Sequence, residues 1–315
     1  MVMPDEFRHA EIVREMRAQK NWFSPHLLTV RYFEKPVFGH HCNIASVKCF
    51  GENAFGLRFP AAIFTGLTGA MIAATVWLRR RDAKLAALAF GFYMSFALVY
   101  GVATMPITDA PVTFFTTAAI FSAFLASLEE PLALRRFFLE ALCALALAGG
   151  FYTKGAVGIA VPGISIFFFL VWEKKWREFY RLPLVVLPVF LAVVLPVARQ
   201  IHLAEPDFWN YFINVEHIQR FTQNAPGQHP QPWWYFLPVV LADACAVEEF
   251  AQQIAVPPDG HVRGKAAHVF AHHLAAVVAY AARLAAPHLH TGVRGVDVGS
   301  HAAAHILTGT YLEQH

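Results

Sequence analysis

Six long apolar stretches run through the middle of this chain, and the short loops between them alternate between strongly basic and not. The stretches cover residues 59–78, 85–105, 112–128, 137–151, 156–172 and 182–197. The basic loops are Arg79-Arg80-Arg81-Asp82-Ala83-Lys84, then Arg135-Arg136, then Lys174-Lys175-Trp176-Arg177. Short Lys/Arg-rich loops stay on the cytoplasmic side of a bilayer, so the remaining loops face outward. About 20 apolar residues cross the roughly 30 Å of hydrocarbon as a helix, and the shorter stretches are marginal by that measure. The pattern predicts an all-α, polytopic membrane protein.

Composition agrees. Hydrophobic residues make up 57% of the chain and charged residues 15%, with 29 Phe, a membrane balance rather than that of a soluble domain. The net charge of +3 gives no nucleic-acid binder, because the inner loops already account for most basic residues. Trp77, Trp172, Trp233 and Trp234 fall at span ends, where an interfacial aromatic belt places them. Pro162, Pro183, Pro188 and Pro196 lie in or beside spans, which membrane helices tolerate. Glu140 is the only carboxylate well inside a span and is expected to snorkel toward the inner face. Four cysteines make no disulfide framework; Cys42 and Cys49 both face outward and are either a pair or two free thiols.

Three segments follow from this reading: an outer loop with juxtamembrane helices (1–56), a transmembrane helical domain (57–240) and an atypical tail (241–315). Phe7, Ile12, Val13 and Met16 recur at near-helical spacing. That helix either lies on the membrane surface or packs on its own outer domain. A charged outward segment normally follows an anchor helix, so a further preceding span is expected. Pro232-Trp233-Trp234-Tyr235-Phe236-Leu237-Pro238 opens a seventh span. Beyond it the chain turns to Ala, His, Val and Gly and holds nine of the sixteen histidines. This is the composition expected of out-of-frame translation of a GC-rich gene; the alternative is a His-rich metal-binding tail.

The chemically interesting clusters all fall on the outward side: Asp5-Glu6, Glu34-Lys35, Asp109, Lys154, and Glu216-His217 with Arg220. Carboxylates with a histidine suit a divalent metal, and Lys and Arg suit a phosphate. Together they fit group transfer from a phosphorylated lipid carrier, with the cations stabilising the phosphate that leaves. Singly each has a plainer reading. A loop Asp is usually a turn residue, Glu34-Lys35 could be a solvated ion pair, and Lys154 could snorkel. A secondary transporter would show internal repeats and midplane charges, which the sequence lacks. An inactive fragment of an enzyme is the other alternative.

The motifs Pro4-Asp5-Glu6-Phe7-Arg8-His9-Ala10-Glu11-Ile12, Tyr32-Phe33-Glu34-Lys35-Pro36, Thr108-Asp109-Ala110-Pro111, Thr153-Lys154-Gly155 and Glu216-His217-Ile218-Gln219-Arg220-Phe221 resemble the aminoarabinose transferases of lipid A modification. Their wider kin are the protein O-mannosyltransferases of the GT-C glycosyltransferase class. The resemblance implies a GT-C fold of about six to seven transmembrane helices in the inner membrane, with its site on the periplasmic side. It implies a polyprenyl-phosphate sugar donor and an acceptor that is lipid A, another glycolipid or a protein hydroxyl. It assigns Asp5 and Asp109 to catalysis, and Glu6, Arg8, Lys35, Lys154 and Arg220 to substrate binding. Glu34 and His217 would hold a divalent metal ion (Zn, Mg or Mn), with no organic cofactor. The sequence departs from the family at His9, where Tyr is usual, in the absence of a first span, and after about residue 240.

Overall fold

A computed structural model of the chain describes residues 4–130 and 132–219, with side chains from Glu6 onward. An outer layer comes first: α1 (Pro4–Gln19), a two-residue hairpin of β1 (His26–Leu27) and β2 (Val30–Arg31), and α2 (Phe38–Phe50). The bundle follows as α3 (Ala54–Arg80), α4 (Ala83–Ser95), α5 (Ala97–Ala103), α6 (Asp109–Ala126), α7 (Leu134–Lys154), α8 (Val157–Trp172) and α9 (Glu178–Ala204). Each expected span coincides with one of these helices, the second with the α4–α5 pair. A short turn, Phe208–Asn210, leads into a π-helix, Tyr211–Gln219, at the outer end.

Three helices, α3, α6 and α9, are each long and apolar enough to cross a membrane. The α4–α5 pair is apolar enough to count as a fourth only if taken together, and it is bent by 74°, the shape of a broken span or a re-entrant loop. The bend sits at Phe96, whose backbone is extended (φ −65°, ψ 126°), while the Ser95 hydroxyl donates to the Phe92 carbonyl at 2.7 Å. The apolar α8 has only 16 residues, about 24 Å of helix, and α7 carries charges near its start. Leu184, Leu187, Leu191 and Leu195 on α9 are all exposed, the surface a helix presents to lipid. Trp77 and Trp172 are likewise exposed at inner helix ends, in keeping with an aromatic belt. The α7 and α8 backbones touch near Gly150 and Gly158; a Cβ at Gly158 would clash with the Gly150 carbonyl.

At the inner end, Glu140 does not snorkel. Arg136 is buried between it and Glu178, with Nε donating to Glu140 at 2.8 Å and Nη2 to Glu178 at 2.5 Å. The guanidinium gives the buried carboxylate a partner within the bundle, so it need not reach for water. Of the two readings of α1, packing on its own outer domain holds: Ile12, Val13 and Met16 are buried with Tyr32, Ile44, Val47 and Leu57, and only Phe7 stays exposed. The hairpin turn puts Leu28 and Thr29 at positive φ (52° and 68°) without glycine. Buried Glu15 compensates by accepting the Thr29 N–H on both oxygens at 3.1 Å. Cys42 and Cys49 are free thiols. The seventh span, Trp233, Trp234 and the tail lie outside the described residues.

Candidate functional site

The bundle's alternation brings the N-terminus of α6 beside the C-terminus of α7 at the outer end. Asp109 is the first residue of α6 and Lys154 the last of α7, each at the terminus whose dipole favours its charge. Lys154 Nζ donates to Asp109 Oδ1 at 2.6 Å, and both side chains remain partly exposed. The turn after Lys154 needs glycine twice over. Gly155 has φ +70°, and a Cβ there would come within 2.8 Å of His217 Nε2.

His217 fastens the π-helix to that turn. Its Nε2 accepts the Ala156 N–H at 3.0 Å, which leaves Nδ1 protonated to donate to the Phe212 carbonyl at 2.7 Å. The neighbouring Glu216 is buried and faces Lys35 Nζ at 3.6 Å. Lys35 Nζ also donates to the Glu34 carbonyl at 3.1 Å. The Glu34 carboxylate accepts the Tyr32 hydroxyl at 3.4 Å and lies 3.8 Å from Arg8 on α1. The polar cluster at the outer end thus consists of two ion-paired groups, Arg8, Glu34, Lys35 and Glu216 in one and Asp109 with Lys154 in the other, joined by the π-helix through Glu216 and through His217's hold on the turn after Lys154.

Glu6 is placed differently. It is buried and gripped by Arg58 at the mouth of α3, with Nε to Oε1 at 2.6 Å and Nη2 to Oε2 at 3.0 Å. This bidentate pair ties α1 to the bundle and fixes the first turn of α1, where Asp5 sits. Arg220 lies outside the described residues.

Behind the cluster His40 is fully buried, its ring 5.3 Å from that of His9 and 6.0 Å from that of Tyr32. Burial holds His40 well below the ordinary histidine value, with the nearby His9 and His41 adding to it. Burial likewise raises the Tyr32 hydroxyl, assisted by the Glu34 charge.

The two metal-ligand candidates sit on segments that meet through Lys35 and Glu216. Both His217 nitrogens are engaged, and among the described residues no three His, Cys, Asp or Glu side chains converge. Arg58 escaped the sequence reading, as did the Lys35–Glu216 contact. A lone arginine at the mouth of an apolar span was the available signal, since such a charge needs a partner.

Residues 1–212 match the family model for dolichyl-phosphate-mannose-protein mannosyltransferases. The chain belongs to this family. Within it, the chain is 42% identical over 242 residues to the undecaprenyl phosphate-alpha-4-amino-4-deoxy-L-arabinose arabinosyl transferase of Aeromonas salmonicida (strain A449). That match covers 76% of this chain and 43% of the relative, so the chain spans less than half the relative's length. The enzyme of the same name from Serratia proteamaculans (strain 568) is 38% identical over 239 residues, with 76% and 43% covered. Among solved structures, ArnT from Cupriavidus metallidurans bound to undecaprenyl phosphate superposes with a TM-score of 0.71 at 26% identity. It covers 88% of this chain and 51% of that one. The family's GT-C fold and a multi-pass membrane protein are thereby shown.

Proposed function

We propose that the chain carries the outer-face site of a glycosyltransferase that moves a sugar from a polyprenyl-phosphate carrier to a membrane-surface acceptor. The observation that carries this reading is the pair of adjoining ion-paired groups at the outer end of the bundle, in a chain whose relatives are named for an undecaprenyl phosphate-linked sugar. We place the site on the periplasmic side of the inner membrane, a reading that the positive inner loops support. Lipid A is the acceptor we favour, and a protein hydroxyl the second reading, favoured by the family model's own description.

In the reaction the bond between the anomeric carbon and the carrier phosphate breaks as an acceptor oxygen bonds to that carbon. Negative charge grows on the departing phosphate. Lys35 and Lys154 stand at the cluster to receive it, and Arg8 adds a third cation. Asp109 orients Lys154 through their 2.6 Å contact. A phosphate acceptor is already an anion and needs no strong base; a hydroxyl acceptor needs a carboxylate to take its proton, for which Asp5 and Asp109 are the candidates. A divalent cation between Glu34 and His217 would add Lewis-acid stabilisation when bound. It would require His217 Nε2 to release the Ala156 N–H, and the lysines and arginine stabilise the leaving phosphate without it.

The test is transfer in nanodiscs from undecaprenyl phosphate-aminoarabinose to lipid A, followed by mass spectrometry. A product heavier by one aminoarabinose residue is expected. Intact acceptor at every donor concentration, from folded protein, would overturn the reading.

A further inference from the structure

Beside the polar cluster, on the outer face of the π-helix, lies a separate cleft of about 720 Å³. Its walls come from the hairpin and the segment after α9: Arg31, Phe33, Asp207, Asn210, Tyr211 and Asn214. The segment is two-sided. Glu205, Phe208, Phe212 and Glu216 are buried inward, while Asp207, Asn210, Tyr211 and Asn214 are exposed toward the cleft. Phe33 and Tyr211 meet edge to face at 5.9 Å and form its apolar wall.

The cation in this cleft is held in place. Arg31 Nε lies 3.2 Å from Glu205 Oε2, and the buried Ser24 hydroxyl donates to Glu205 Oε1 at 2.6 Å. A buried carboxylate thus fixes one edge of a guanidinium that is otherwise more than half exposed, leaving its remaining N–H groups for an outside anion. Asp207 adds a carboxylate to the lining, and the Asn210 and Asn214 side chains are linked by a 2.5 Å hydrogen bond. An oriented guanidinium, a carboxylate, two amides and an aromatic wall are the set that recognises a phosphorylated sugar: anion, amine or hydroxyls, and apolar ring face. π-helical segments frequently occur at functional sites.

We propose that this cleft binds the phosphorylated sugar headgroup of the acceptor, an assignment that rests on the glycosyltransferase reading above. The cleft shares a wall with the reacting cluster, because Phe33 precedes Glu34-Lys35 and Glu216-His217 lie on the inward side of the same π-helix. A headgroup seated there would present an oxygen at the rim of the cluster without occupying the carrier's place.

The experiment is calorimetric titration of the full chain in nanodiscs with glucosamine 1-phosphate and, separately, with undecaprenyl phosphate. Saturable binding of the sugar phosphate is expected, weakened at least about tenfold by Arg31→Gln and by Asn214→Leu, with Arg31→Lys intermediate. Undecaprenyl phosphate binding should be unchanged in all three variants, which also shows that they fold. No binding of glucosamine 1-phosphate, or binding indifferent to these substitutions, would overturn the proposal. Inorganic phosphate binding as tightly as glucosamine 1-phosphate would overturn its sugar half. Lipid A should compete with glucosamine 1-phosphate; failure to compete would point to a soluble sugar phosphate and overturn the acceptor assignment. If only undecaprenyl phosphate fails to bind, the donor reading falls and the cleft stands.

Discussion

Lys154 and Asp109 meet at 2.6 Å with both side chains partly open to solvent, so their contact contributes little to stability, under about 1 kcal/mol after screening. Any large effect of removing either should therefore appear in turnover. Lys154→Ala and Asp109→Asn are each expected to lower sugar transfer by about 10²–10³-fold with little change in melting temperature, read by initial rates and thermal unfolding in detergent. The double variant should lose no more than the worse single one, because the two side chains act as a unit. His40 makes a different prediction. Burial depresses its folded-state pKa below the ordinary value of 6.5, so below that pH the unfolded chain binds the extra proton and the folded one resists it. Stability should fall as pH drops from about 6.5, and His40→Gln should flatten the slope of melting temperature against pH. The titratable groups around it are His9, His41 and Tyr32.

Among the elements, α7 does two jobs at its two ends. Its outer end presents Lys154, and its inner end is locked to α9 by the Arg136–Glu140–Glu178 triad, buried among apolar helices. Removing the cation alone strands two buried carboxylates. Arg136→Met should destabilise by about 3–5 kcal/mol, seen as an early loss of helical signal on heating in detergent. The informative comparison is the triple variant that adds Glu140→Leu and Glu178→Leu to Arg136→Met. That combination should recover most of the loss, because no unpaired charge remains. The π-helix is the other element with a double role, its inward face holding Glu216 and His217 and its outward face lining the cleft.

For the molecule as a whole, the basic loops and the outer cluster are expected on opposite sides of one membrane. Cys49 is an exposed thiol in the outer layer, whereas Cys143 is buried. In a Cys245→Ser background, a membrane-impermeant maleimide added to intact spheroplasts should label Cys49. Lys84→Cys, in the first turn of α4 at the inner end, should label only after permeabilisation, when Cys49 is also replaced by serine. Labelling of Lys84→Cys in intact cells would invert the topology and place the cluster in the cytoplasm. Cys42 should react slowly, since burial raises its thiol to about 11 and leaves little thiolate at neutral pH.

Much of this molecule is legible along the chain. The helices fall on the apolar stretches, because desolvation acts on local sequence. The segments that form the polar cluster could be picked out in the same way, as charges on one side of a membrane. What the chain alone left open was pairing. Lys154 meets a residue 45 positions away and Lys35 one in the π-helix; Glu6, expected at the substrate, is taken by Arg58. The bend at Phe96 and the burial of Glu140 were hidden for the same reason. A membrane helix is specified by its own composition, but a polar side chain's partner is specified by which helices pack together, and only the tertiary structure decides that.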